Sequence, residues 1–453
     1  MTKRSATILV RVPGRANKTD ALRVGLVPLT SEWGGGVFQY SQTMLSVLAD
    51  LREVRDEEFV LLADGLSDAD PLLNGASWEI AALNPPSPTS RILPHVKNIA
   101  RSRLPSRLRE HLSPLALRLE RRGEVPSEPG PHRRPDVRSW FEGLGIDLVL
   151  YPASMPLSFE AGTPYVLAVH DLQHRLQPEF PEVSAGQEFA LREYVFRNGI
   201  REATVVLTDS EVGREDVLNL YGDLIAPERV AVLPFLPAVA DLVSLDDRER
   251  VSRKYRLPER FLFYPAQMWP HKNHLRLVEA LAELERSDGI EIEIVLIGSK
   301  SGEIRERTHA ELLSRVRALG LQDRVHYFGY VPAGDVGALY AEAVALVMPT
   351  FFGPTNIPVL EAWALNCPVV TSDIRGVREQ VGDAALLADP RSVGAIADAI
   401  RKVWLDAELR DELIRRGRSR LSLYTREDYS QRLSEILDQA GELVRGARER
   451  AHV

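Results

Sequence analysis

The 453-residue chain holds a single cysteine, Cys367. One thiol excludes an internal disulfide framework and a cysteine-rich zinc site, and it fits a reducing cytoplasm. No histidine or acid adjoins Cys367. Its neighbours Ala364, Leu365 and Val369 make it a small core residue rather than an activated nucleophile. Long apolar runs are also missing: none approaches the about 18 residues that span a bilayer. The start, "MTKRSATILVRVPGRANKTD", is basic, but its apolar stretch is too short and too broken by arginine for a secretory core, so residues 1–21 read as a tail. There is no surplus of positive charge. Lys and Arg number 56 against 64 Asp and Glu, a formal net charge of -8, which argues against a dedicated nucleic-acid binder. Metal and nucleophile signatures are absent too, with no H-E-x-x-H, EF-hand loop or G-x-S-x-G. The D-x-D at Asp68–Asp70 lies in the turn-like "GLSDADPLLNG" and reads as a loop.

What is present is a soluble-protein composition, 44% hydrophobic and 26% charged, on a chain too long for one ordinary core. Short apolar runs alternate with amphipathic segments, the pattern of βα units and parallel sheets. They form two blocks. The first, residues 22–238, has strand candidates in "ALRVGLVPLT", "EFVLLAD", "IDLVLYPAS", "YVLAVHDL" and "TVVLTDS". Its first helix, "VFQYSQTMLSVLADL", places Phe38, Met44, Leu45 and Leu48 on one face. The second block, residues 239–420, has them in "RFLFYPAQ", "IEIEIVLIGS", "RVHYFGYV", "VALVMPTFF", "PVVTSDI" and "AALLAD". A hinge is expected in "LPFLPAVADLVSLDDRER", and amphipathic helices over residues 421–453.

Inside the first block, residues 85–138 are rich in Pro and Arg although the chain is acidic overall. They read as a surface insertion of solvated charge. The alternative is a basic amphipathic surface, with Ile92, Leu93, Val96, Ile99, Leu104 and Leu108, that meets anionic lipid or an anionic acceptor. Prolines such as Pro94 and Pro105 interrupt any long helix there.

Two open α/β sheets invite a ligand to the carboxyl ends of their strands. Candidates at such ends are Gln267 and Lys272, then Gly298 and Ser299, and then the turn in "PTFFGPTNIPVLEAWALNCPVV". Pro358 suits a first helical position and pushes Ile357 out of the α region, so a helix is expected to begin at Pro358. That frees the N–H groups of Thr355, Asn356 and Ile357 at the positive end of a helix, an anion site, with Glu361 one turn inside. The bland alternative is a plain cap with Glu361 as a macrodipole partner. Lys272 is either a solvated charge or, joined to that helix N-terminus, a diphosphate clamp. His170, directly after a buried strand, is either satisfied by backbone or a donor to a sugar hydroxyl or developing charge. "SEWGGG", with Gly34, Gly35 and Gly36, can bring backbone N–H groups close to a ligand but lacks G-x-G-x-x-G spacing.

Taken together, "GGG", "HDLQHRLQPEFP", "YPAQMWPHKNH", "FGPTNIPVLEAWALNCPVVTS" and "VGDAALLADP" resemble bacterial glycosyltransferase family 4, over residues 23 to 429. The resemblance implies a GT-B fold: two Rossmann-like domains facing across a cleft, and a C-terminal helix crossing back, for which "YTREDYSQRLSEIL" is the candidate. It implies a retaining, metal-independent transfer of a hexose-type sugar from a nucleotide-sugar donor, such as GDP-mannose, to a glycan or lipid-linked acceptor. No other cofactor is implied, and the setting is the cytoplasm or the inner face of the cell membrane. By position, Lys272 and the amides of Thr355, Asn356 and Ile357 would hold the diphosphate, and Glu361 the ribose. Gly34–Gly36 would approach diphosphate or acceptor, and His170 the transferred sugar. Gln267 and Gly298 fall in the donor site. Two departures stand out. Gly353 stands eight residues before Glu361, where many members carry a sugar-contacting acid, and Gln267 stands five before Lys272, where many carry Arg. Charge compensation at the phosphates would then be weaker, or supplied elsewhere, by Arg375 or Arg378. The departures keep open a catalytically silent GT-B binding subunit, or a GT-B enzyme of another reaction such as a phosphorylase or epimerase.

Overall fold

The computed structural model describes residues 21–30, 35–66, 73, 77–85, 130–237 and 244–451. Most of the basic insertion, the centre of the expected hinge, the D-x-D and Gly34 lie outside the described residues.

Two wholly parallel sheets carry the fold. The first has strands β1 (Arg23–Leu26), β2 (Glu58–Leu62), β3 (Glu79–Ala81), β4 (Leu148–Tyr151), β5 (Tyr165–Ala168), β6 (Val205–Thr208) and β7 (Val230–Val232), in the order β3-β2-β1-β4-β5-β6-β7. The second has β8 (Phe261–Pro265), β9 (Glu293–Ile297), β10 (Val325–Tyr327), β11 (Ala345–Met348), β12 (Val369–Ser372) and β13 (Leu386–Ala388), in the order β10-β9-β8-β11-β12-β13. Runs such as LVLY in β4, VVLT in β6 and ALVM in β11 are buried at every residue. That is the signature of strands covered by helices on both faces. In each sheet the strand order reverses between the first and fourth strands, β1/β4 and β8/β11, and there the helices leave a crevice at the carboxyl ends.

The helix Gly36–Leu51 buries Met44, Leu45 and Leu48 as expected, whereas Phe38 is only half-buried and Tyr40 takes its place inside. The last helix, Arg426–Ala451, crosses back. Tyr429, Leu433, Ile436, Leu437, Ala440 and Val444 lie on one face and belong to the core of the first sheet with Val24, Leu45 and Leu148. Each fully buried Leu or Ile contributes about 1.5–3 kcal/mol, so this stripe fastens the C-terminus to the N-terminal domain. Arg432 Nε donates to the Val232 carbonyl at 3.1 Å, and Arg448 pairs with Asp147. Cys367 is buried in the second core, where burial pushes its thiol up to about 12.

Candidate active site: a cleft between two switch points

A cleft of about 390 Å³ opens between the domains, lined by loops that follow β1, β5, β6, β8 and β11. It gathers Gly35, Gly36, His170, Gln267, Lys272, Thr355, Asn356 and Ile357, which lie up to 322 residues apart in sequence. Gly298 and Glu361 do not line it.

The C-terminal wall is built around the β8/β11 switch point. Lys272 ends a short 3-10 turn, Pro270–Lys272, and its carbonyl is fixed by the Tyr264 hydroxyl at 2.9 Å. Its ammonium makes no ion pair among the described residues. Burial draws its pKa down to about 8, against the opposing pull of Asp171 and Glu182. Across from it the turn after β11 leads into the helix Ile357–Ala364, which starts one residue before the expected Pro358 because Asn356 already has extended N-cap geometry. The Asn356 N–H donates to Gln380 Oε1 at 3.0 Å, and Gln380 Nε2 returns to the Asn356 carbonyl at 2.9 Å. Of the three amides read from the sequence, therefore, those of Thr355 and Ile357 remain open to a ligand.

Gly353 has φ 136°, a conformation L side chains avoid, and an added Cβ would lie 2.6 Å from Asn356 Oδ1. Asn356 Nδ2 in turn donates to the Gly353 carbonyl at 3.1 Å. The glycine is thus part of how this turn closes, and a side chain at 353 would strain it. Gly298 is a packing glycine: with φ 132°, its Cβ would meet the Ala266 carbonyl oxygen at 2.4 Å.

Gln267 occupies the position where an arginine was expected, but a guanidinium is nearby. Arg305 Nη1 donates to Gln267 Oε1 at 2.7 Å and its guanidinium lies 4.6 Å over the Trp269 ring. Arg375 and Arg378 do not compensate. Arg375 pairs with Glu215 and Asp216 of the N-terminal domain and Arg378 with Asp373, and neither lines the cleft.

The N-terminal wall carries acceptors. His170 Nε2 lies 2.7 Å from the Pro152 carbonyl, which can only accept, so that nitrogen holds the proton. Burial lowers the His170 pKa, so the ring is neutral and Nδ1 is an acceptor; it receives a proton rather than donating one. Tyr40 packs edge-on at 4.7 Å and fixes the ring plane. Beside it stand Asp171, Glu182 and Asp209, with Arg192 3.6 Å from Asp171. Glu182 Oε1 accepts from the His271 N–H at 3.1 Å and from its Nδ1 at 2.6 Å, a direct tie between domains. Four lining residues hold a buried polar atom with no partner: Gln173 Nε2, Glu182 Oε2, Asp209 Oδ1 and Thr355 Oγ1. Such atoms are costly unless a ligand satisfies them.

Glu361 is 3% exposed and both oxygens are occupied. Gln39 Nε2 of the N-terminal domain donates to Oε1 at 2.9 Å and the Tyr340 hydroxyl to Oε2 at 2.7 Å. Burial raises its pKa. Asp209, Glu182, Arg305 and Gln39 were not singled out from the sequence. "TVVLTDS" carried the signal for Asp209, an acid at a strand end, whereas Arg305 and Gln39 sit inside helices with no local mark.

This architecture, two parallel-sheet Rossmann-like domains facing across a cleft, is the GT-B class. Residues 247–420 match the family model for glycosyl transferases group 1. The chain is 29% identical over 240 residues to an O-antigen chain mannosyltransferase B of Escherichia coli, covering 52% of this chain and 61% of that protein. It is 25% identical to an alpha-D-kanosaminyltransferase of Streptomyces kanamyceticus, covering 61% and 70%. The match thus spans less than two thirds of the first of these relatives. Among solved structures, Anabaena HepE in complex with UDP and glucose aligns with TM-score 0.64 at 18% identity, covering 92% of this chain and 99% of that one. WaaG, a glycosyltransferase involved in lipopolysaccharide biosynthesis, aligns with TM-score 0.60 at 15% identity, covering 92% and 98%. Over residues 247–420 the chain is thus similar to glycosyl transferases group 1, and the solved structures share its fold. Among the described residues no helix is long and apolar enough to cross a membrane, and no group of three or more His, Cys, Asp or Glu could hold a metal ion.

Proposed function

We propose that the chain is a retaining glycosyltransferase that moves a hexose-type sugar from a nucleotide-sugar donor to a glycan or lipid-linked acceptor. The observation that carries this is the convergence of Lys272 with the open amides of Thr355 and Ile357 at a helix N-terminus, at the β8/β11 switch point. A nucleoside diphosphate leaving group needs cations and fixed dipoles aimed at its developing charge. Here an ammonium and a helix N-terminus supply them from one wall, and this reading needs no metal. His170 Nδ1, on the other wall, accepts a sugar hydroxyl. In a same-face substitution the leaving phosphate takes the proton of the acceptor hydroxyl as the new glycosidic bond forms, so no protein nucleophile is required.

The mannosyltransferase relative makes GDP-mannose the first donor to test, and the UDP-bound HepE structure makes UDP-sugars the second. Wild type and Lys272→Ala are compared by thermal shift and by donor hydrolysis against GDP-, UDP- and dTDP-sugars. One donor should raise the wild-type melting temperature and do so far less in the variant. If none binds, the reading fails, and a catalytically silent protein or another GT-B reaction takes its place.

A further inference from the structure

Asp209 stands directly after β6 and is 4% exposed, yet it lines the cleft. Its Oδ1 has no hydrogen-bond partner and lies over Gly213, whose added Cβ would come within 3.1 Å. The residue across the cleft is Thr355. Its hydroxyl is near enough to favour the charged form of Asp209, but Oγ1 closes no hydrogen bond of ordinary geometry. Burial, reinforced by the charges of Asp171 and Asp216, raises the Asp209 pKa to about 7. A carboxyl held in this state is expensive to keep, and the Thr355 hydroxyl and the residue's own backbone N–H offset that cost only in part.

The opposite wall narrows what this carboxyl can meet. Thr355 contributes an open N–H to the anion site, and a phosphate oxygen cannot approach a carboxylate without repulsion. The group next along a nucleotide sugar, beyond the second phosphate, is the sugar itself, neutral and rich in hydroxyl donors. The C-terminal wall of the cleft includes Gly353, which offers no side-chain acceptor and whose φ of 136° disfavours any side chain there. The acceptors that meet a sugar hydroxyl there come from the facing domain, the Asp209 carboxyl beside His170 Nδ1.

We infer that Asp209 accepts a hydroxyl of the transferred sugar, so that the donor sugar is read by the N-terminal domain while its diphosphate is held by the C-terminal one. This rests on the donor site proposed above and assigns it a specificity-determining residue.

The test compares a nucleotide sugar with its sugarless nucleoside diphosphate, GDP-mannose with GDP and UDP-glucose with UDP, by titration calorimetry on wild type and Asp209→Asn. The expected result is a tenfold or greater loss of affinity for the nucleotide sugar, an unchanged affinity for the diphosphate, and a melting temperature equal to or above wild type, since a buried acid has been made neutral. Asp209→Leu should show the same split and a further rise in melting temperature. Equal losses for both ligands, no loss for either, or a defect confined to the KM for the acceptor would each overturn the inference while leaving the donor site intact. If no nucleotide binds wild type, the glycosyltransferase reading falls and this role for Asp209 falls with it.

Discussion

Gln39 and Glu361 belong to different domains and meet at 2.9 Å, with the amide donating to the carboxylate. By resemblance Glu361 would receive ribose hydroxyls, yet in this conformation its two oxygens serve Gln39 and Tyr340. A ribose would have to displace Gln39, because Tyr340 lies fully buried beneath the carboxylate in the same core. The pair is then an interdomain contact that competes with nucleotide. Replacing Gln39 with Ala should tighten nucleoside diphosphate binding by about three- to tenfold, the scale of one ordinary intramolecular hydrogen bond. Glu361→Gln should weaken it by a similar factor. Calorimetry with GDP and UDP measures both. Weaker binding in Gln39→Ala would show that the pair supports the site instead.

Lys272 sets a pH dependence whose sign follows from its environment. Burial holds its pKa at about 8, with Asp171 and Glu182 opposing and His271 adjoining. In the free protein the ammonium is lost as pH rises through about 8, so diphosphate affinity should fall only about twofold from pH 7 to 8. Above that it should fall by up to tenfold per pH unit, and Lys272→Ala should abolish the fall. The stability effect runs the other way. The unfolded chain, with a lysine pKa of about 10.4, binds more protons than the folded one between about 8 and that value, so stability rises with pH across this window. Lys272→Met should therefore raise the melting temperature at pH 7, by an amount that shrinks toward pH 10. Thermal melts at the two pH values decide it.

Most strands were legible in the sequence because a strand covered on both faces must be apolar throughout, as LVLY, VVLT and ALVM are. The strands not foreseen, β3 and β7, are three-residue edges of the first sheet. An edge strand is bonded on one side only and needs no long apolar run. The last helix was foreseen from its amphipathic pattern, and its crossing back from the family resemblance. The C-terminal wall of the cleft was legible for a similar reason: Pro358, the turn before it and a lysine after a strand end are local signals. Relations between domains were not. That Gln39 reaches Glu361 and that Glu182 reaches His271 depend on how two sheets face each other, which no window of sequence encodes.

Arg305 does not line the cleft but reaches it through Gln267, which stands where an arginine was expected five residues before Lys272. It is held over Trp269 and donates to Gln267, whose side chain faces Gly35 across the cleft at a distance that would leave an added Cβ 3.3 Å away. Burial lowers its pKa without removing its charge. Arg305→Ala should weaken nucleotide-sugar binding about fivefold, near 1 kcal/mol for the lost hydrogen bond, through disorder of Gln267. Arg305→Lys keeps the charge but loses the planar fork and the stacking. If Lys restores binding, the charge is what counts; if it does not, positioning of Gln267 is. Titration of both variants with GDP-mannose and UDP-glucose separates the two.

Gly353 turns the departure from the family pattern into a statement about geometry. Restoring an acid by Gly353→Glu would place a Cβ 2.6 Å from Asn356 Oδ1 at φ 136°, and the strain would fall on the turn that presents the Thr355 and Ile357 amides. Backbone strain of this kind costs about 1–3 kcal/mol, so the variant should melt several degrees lower and bind nucleoside diphosphate more weakly, not better. Gly353→Ala separates strain from charge: it should show nearly the same loss of stability, because both substitutions add the same Cβ. Should Gly353→Glu instead keep its melting temperature and gain affinity for a nucleotide sugar, the turn would have to adopt a second conformation with Asn356 released from the Gly353 carbonyl. The sugar would then be read from the C-terminal wall, and Asp209 would no longer be needed on the other side.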